Sequence, residues 1–124
     1  MKILESSENY LETILMLKNE GINVRAIDVV NELGFSKASV SVAMKHLRED
    51  GFISVDKNNI IELLPAGLEI AQKMYERHVV ISKGLIAIGV DEEIATHDAC
   101  KIEHIISTET FECIKAYLHK VGKL

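Results

Sequence analysis

Apolar residues recur at helical spacing in several separate stretches of the chain. Tyr10, Leu11, Ile14, Leu15 and Leu17 predict a first helix from about Glu8 to Lys18, capped by Ser6 or Ser7 and ended at Gly21. Ile27, Val30 and Leu33 predict a second, Arg25 to Leu33, stopped by Gly34. Ser36 is suited to cap a third, Lys37 to about Asp50, whose inward stripe is Val40, Ala43, Met44 and Leu47 and whose end is Gly51. The spacing then changes. Phe52-Ile53-Ser54-Val55 and Ile60-Ile61-Glu62-Leu63 flank an Asp56-Lys57-Asn58-Asn59 turn, which predicts a β-hairpin. Two short helices joined through a glycine turn and followed by a hairpin make a winged helix-turn-helix.

Helical spacing returns at Pro65, a residue suited to a first helical position, and continues through Ala71, Met74 and Tyr75 towards Ile86 until Gly89 breaks it. Asp91-Glu92-Glu93 opens a fifth helix with acids at its positive end. Ser107-Thr108-Glu109 separates that helix from a sixth, which repeats Phe111, Ile114, Tyr117 and Leu118 on one face. The reading is a mainly α protein with a winged helix-turn-helix over residues 1–64 and a helical domain over residues 65–124. The second half carries more apolar surface than its own core needs, so a homodimer is expected, with Ile114 and Leu118 as candidate interface residues.

Composition changes this picture in few places. Trp is absent and there are only three Phe and three Tyr, so stacking on aromatic platforms is not the expected chemistry. Two cysteines without a disulfide framework, no membrane-length apolar run and no signal-peptide pattern at the start point to a cytoplasmic protein. A net charge of −5 at first argues against nucleic acid. However, Ser36 to Arg48 holds Lys37, Lys45 and Arg48 and no acid. Phosphate contact needs a basic stripe and not a basic protein. In a helix-turn-helix the second helix enters the major groove, which points to double-stranded DNA as partner. Its small outward residues Ser36, Lys37, Ala38, Ser39 and Val42 would meet base edges, while Lys45 and Arg48 would meet phosphates.

Cys100, Glu103 and His104 lie at i, i+3 and i+4, so a helix projects thiol, carboxylate and imidazole from one face. That is half of a transition-metal site. A redox-sensitive or partner-controlled winged helix, with Cys100 as sensor thiol, is the alternative use of the same cysteine. The chain has no nucleophile elbow or glycine-rich phosphate loop, so neither catalysis nor a small organic substrate is expected.

Ser7-Glu8-Asn9-Tyr10-Leu11-Glu12, the Gly34–Gly51 segment, Glu76-Arg77-His78 and Ala99-Cys100-Lys101-Ile102-Glu103-His104 together carry a resemblance that extends over essentially the whole chain. By these motifs the sequence resembles the diphtheria toxin repressor and manganese transport regulator family of metal-dependent repressors. It looks like a short form without the SH3-like domain of the longer members. The resemblance implies a helical metal-binding and dimerisation domain, repression of metal-uptake genes, and Asn9, Glu12, His78, Cys100, Glu103 and His104 as metal ligands. Asn9 stands where manganese-type members have Asp and iron-type members have Met, and it offers a neutral carbonyl oxygen or an amide proton. Cys100 follows the iron-type pattern, whereas manganese-type members have Glu there. A thiolate favours Fe(II), Co(II), Ni(II) or Zn(II) over the harder Mn(II), and the oxygen-rich remainder makes the site less zinc-like, so Fe(II) is expected first and Mn(II) second. Ser82 and Thr96 fall at two positions of the iron-type ancillary site and do not reproduce it.

Overall fold

In the computed structural model, which describes residues 4–124, Glu5–Asn19 forms α1. The helix starts earlier than the apolar pattern predicts. Leu4 takes the capping position without a side-chain cap, and Ser6 and Ser7 lie inside the first turns. Glu5 and Glu8 stand in that first turn, where carboxylates suit the positive end of the helix dipole. The expected opening of the first domain at residue 1 falls outside the described residues.

Ala26–Leu33 forms α2, which ends at Gly34 in a left-handed conformation, φ 72°. Of the expected stripe Val30 and Leu33 face the core, but Ile27 is 44% exposed and Val29 is fully buried instead. Ala26, Val29, Val30 and Leu33, spaced i, i+3, i+4 and i+7, form the face against the core. Lys37–Glu49 forms α3, and Ser36 caps it by accepting from the Ser39 amide. Val40, Met44 and Leu47 are buried along it, as the pattern predicts.

Ile53–Val55 (β1) and Ile61–Leu63 (β2) pair antiparallel, with Ile53 opposite Leu63 and Val55 opposite Ile61. The turn between them is held by the Asp56 carboxylate, which accepts from the Asn58 and Ile60 amides, and Asn59 takes a positive φ of 64°. A further backbone bond, from the Ile61 amide to the Val24 carbonyl at 2.8 Å, joins β2 to the segment before α2. Leu11, Ile14, Val24, Val29, Val40, Leu47, Ile53 and Ile61 close one shared core under these elements. Each fully buried aliphatic side chain contributes about 1.5–3 kcal/mol. Tyr10 packs edge-on to Phe35 with ring centroids 6.0 Å apart, and burial raises its phenol pKa above the ordinary value.

Pro65–Ala87 (α4) is followed by Glu92–Ile105 (α5) and Thr108–Lys120 (α6). Asp91 and Ser107 cap the last two helices through their side chains, at the positions the acidic and Ser-Thr clusters mark. The chain divides into two compact units, Met1–Lys73 and Met74–Leu124, with the division inside α4. In the second unit Val80, Phe111 and Leu118 form a small core joined by Ile106 and Ile114. Leu118 is thus already buried within its own unit, and Ile114 is half-buried. Beside them α4 and α6 leave an apolar groove of about 610 Å³, lined in part by Leu85, Ile88, Ile102, Tyr117 and Val121. No helix among the described residues is long and apolar enough to cross a membrane.

Candidate metal centre and nucleic-acid interface

On α5, Cys100, Glu103 and His104 share a face, as their spacing requires. Glu103 is fully buried. Its two carboxylate oxygens are flanked by imidazoles, His78 Nδ1 at 3.2 Å from Oε2 and His104 Nε2 at 3.4 Å from Oε1. His78 comes from α4 and also lies 3.7 Å from the thiol of Cys100. Donor atoms of His78, Cys100 and Glu103 all fall within 4.8 Å of one another.

These spacings suit a small divalent ion. Bonds of about 2.0–2.3 Å to nitrogen, oxygen and sulfur put neighbouring donors of a tetrahedral site about 3.3–3.8 Å apart. The separations of 3.2 and 3.7 Å from His78 to its two neighbours fall close to that range. A buried carboxylate is costly unless paired, and the two imidazoles hold it in place. Glu12 and Asn9 lie one turn apart on α1, Glu12 buried and Asn9 half-buried. Asn9 uses its backbone carbonyl to accept from the Thr13 hydroxyl at 2.8 Å.

In the first unit the cap Ser36 and, on α3, Lys37, Ala38, Ser39, Val42, Lys45 and Arg48 are all exposed. The Ser36 hydroxyl also donates to the Ser39 hydroxyl at 2.9 Å, which fixes both at the start of the helix. Lys45 lies 4.0 Å from Glu49, an exposed pair of little energetic weight, so its ammonium stays available to phosphate. A groove of about 360 Å³ between α3 and the hairpin is lined by Ser41, Val42, Lys45, Arg48, Val55 and Asn59, among others. Arg25, which the sequence reading placed only at a helix start, donates from Nε to the Asn58 carbonyl at 3.0 Å and so fastens the hairpin turn. No local pattern pointed to that contact, because its partners are 33 positions apart.

Two family models match nearly the whole chain. One, the N-terminal DNA-binding domain of iron-dependent repressors, covers residues 2–59, and the other, the iron-dependent repressor metal-binding and dimerisation domain, covers residues 64–123. The chain belongs to the iron-dependent repressor family. The transcriptional regulator MntR of Salmonella typhimurium is 34% identical over 118 residues, which is 95% of this chain and 75% of that protein. An HTH-type transcriptional regulator of Methanocaldococcus jannaschii is 30% identical, with 94% of each chain covered. A manganese-dependent transcriptional repressor solved with manganese superposes with a TM-score of 0.83 at 23% identity, over 91% of this chain and 52% of that one. IdeR of T. acidophilum superposes with a TM-score of 0.76 at 22% identity, over 98% and 55%. At such identities the structural likeness shows the fold.

For this member of the iron-dependent repressor family, the family and the fold expected from the motifs both hold. It is a metal-dependent transcriptional repressor of this type, with a winged helix-turn-helix followed by a helical metal-binding and dimerisation domain. The redox-controlled alternative is not favoured by these relatives.

Proposed function

We propose that this repressor acts as a cytoplasmic homodimer on operators of metal-uptake genes, with residues 1–64 binding DNA and residues 65–124 holding metal and the dimer contact. One observation carries the metal half: a fully buried Glu103 between two imidazoles, with a thiol beside one of them. His78, Cys100, Glu103 and His104 would hold the ion, and Glu12 and Asn9 are added as ligands on family resemblance. A bound divalent ion supplies positive charge that offsets the carboxylates and thiolate gathered for it. Such an ion activates DNA binding only as far as it prefers the DNA-competent state. The decisive test is operator binding by the apo-protein during anaerobic titration with Mn(II), Fe(II), Co(II), Ni(II) and Zn(II).

For the identity of the ion, relatives named as manganese regulators favour Mn(II) over the Fe(II) expected from the donor set. Cys100 is the residue that argues for Fe(II), because a thiolate is a softer donor than the carboxylate it replaces. Cys100→Glu should therefore shift the ratio of Mn(II) to Fe(II) affinities towards Mn(II) by about tenfold. Competitive metal titration would measure this, and an unchanged ratio would place Cys100 outside the ligand set.

On the DNA side, Lys45→Ala should weaken binding to all operator sequences alike and reduce the salt slope by about one. Ser39→Ala and Val42→Ala should instead change the ranking of operator variants, since a hydroxyl serves several base edges and a valine suits a thymine methyl. Fluorescence anisotropy over a salt series separates the two. A uniform loss from all three would remove the distinction drawn between base-facing and phosphate-facing positions.

A further inference from the structure

Arg77 immediately precedes His78 on α4 and is almost completely buried, 6% exposed. Nη1 donates to the Glu103 carbonyl at 3.2 Å and to the Ile106 carbonyl at 2.8 Å. Nη2 donates to the Thr108 hydroxyl at 3.3 Å, and the guanidinium carbon lies 5.5 Å from the centre of the Phe111 ring. One side chain thus engages the last turn of α5, the α5–α6 junction and the start of α6. Carbonyls near a helix C-terminus lack intrahelical partners and carry partial negative charge, so a buried cation is well placed there. The planar fork of arginine lets one nitrogen hold two carbonyls while the other reaches a hydroxyl, and lysine cannot reproduce this.

Glu103 is therefore held from α4 at two points by consecutive residues. Arg77 holds its backbone carbonyl and His78 faces its carboxylate. Sliding or rotating α5 by a fraction of a turn would break the first contact and misplace the second. We propose that Arg77 is a positioning residue of the metal centre: it locks α5 against α4 so that Cys100 and Glu103 stand at ligating distance from His78. The inference rests on the metal reading above. It goes beyond that reading in giving a role to a residue that need not touch the ion, as supporting groups around metal sites do.

The test uses Co(II) as a spectroscopic probe in the whole 124-residue chain, comparing the parent with Arg77→Lys. Cobalt d–d and thiolate charge-transfer bands report donor geometry directly, and competition with a chelator gives the affinity. Arg77→Lys should weaken Co(II) binding about tenfold to a hundredfold and alter the band pattern, at a temperature where circular dichroism shows the variant folded. A folded variant with parental bands and affinity would overturn the proposal and leave Arg77 as a structural brace. Thr108→Val removes only the 3.3 Å contact and serves if Arg77→Lys does not fold. It should lower the affinity several-fold in the same direction, and parental affinity in that case would overturn the proposal too. A parent protein that takes up no Co(II) would instead defeat the metal reading itself.

Discussion

Glu103→Gln should abolish metal-activated operator binding while leaving the protein folded. Glutamine keeps the shape of the side chain and one oxygen but removes the anionic donor at the centre of the cluster, 3.2 Å from His78 and 3.4 Å from His104. Losing a group that only supports a metal ligand typically costs tenfold to a hundredfold in affinity, so losing the buried carboxylate should cost more than about a hundredfold. His104→Ala should have the same consequence for every metal, because it removes an imidazole whose side chain is only 3% exposed. Calorimetric titration of apo-protein, with operator binding alongside, measures both. A Gln variant that responds to Mn(II) or Fe(II) like its parent would remove Glu103 from the ligand set.

The largest loss of stability is expected from a single methyl group elsewhere. Gly67, in the first turn of α4, lies directly against the backbone of Phe52, and a Cβ there would overlap the Phe52 carbonyl oxygen and come within 3.0 Å of its carbon. That carbonyl already accepts from the Leu64 amide at 2.9 Å, so it cannot retreat without breaking the bond that closes the two ends of the hairpin just before α4. Overpacking of this kind typically costs 1–3 kcal/mol, and a rigid backbone partner places Gly67→Ala at about 3 kcal/mol or more. For a chain of this size that corresponds to a fall in Tm of roughly 10 °C or more. Thermal unfolding followed by circular dichroism would show it. A fall of a degree or two would mean that α4 can shift away from the hairpin at little cost.

Much of this architecture was legible from spacing alone. The α3 stripe, its Ser36 cap, the hairpin and the opening of α5 at Asp91 all sit where residue types demand them, because each depends on contacts within a few positions. The exceptions are informative. In α2 both Ile27 and Val29 are apolar, and only packing against the shared core decides that Val29 goes inside. In α1 the dipole carboxylates, not the serines, mark the start. Leu118 belongs to the core of its own unit, and an apolar stripe does not distinguish that from a subunit interface. For the metal centre, local spacing brought Cys100, Glu103 and His104 together, but His78 is 22 positions from Cys100 and entered through the family motif. Arg77 was visible in that motif without a role, since its partners are separated from it by 26 to 31 positions.

The hairpin turn shows what a small amount of fixed backbone does for recognition. Asp56 holds two of the turn's amides, Arg25 holds a carbonyl, and Asn59 already occupies its left-handed conformation. Ordering one free residue costs on the order of 1–2 kcal/mol in conformational entropy. A loose wing would lose that freedom each time the protein met an operator. Here it is lost once, during folding, so in the function proposed above the wing would meet an operator as a preorganised tip, without that ordering cost.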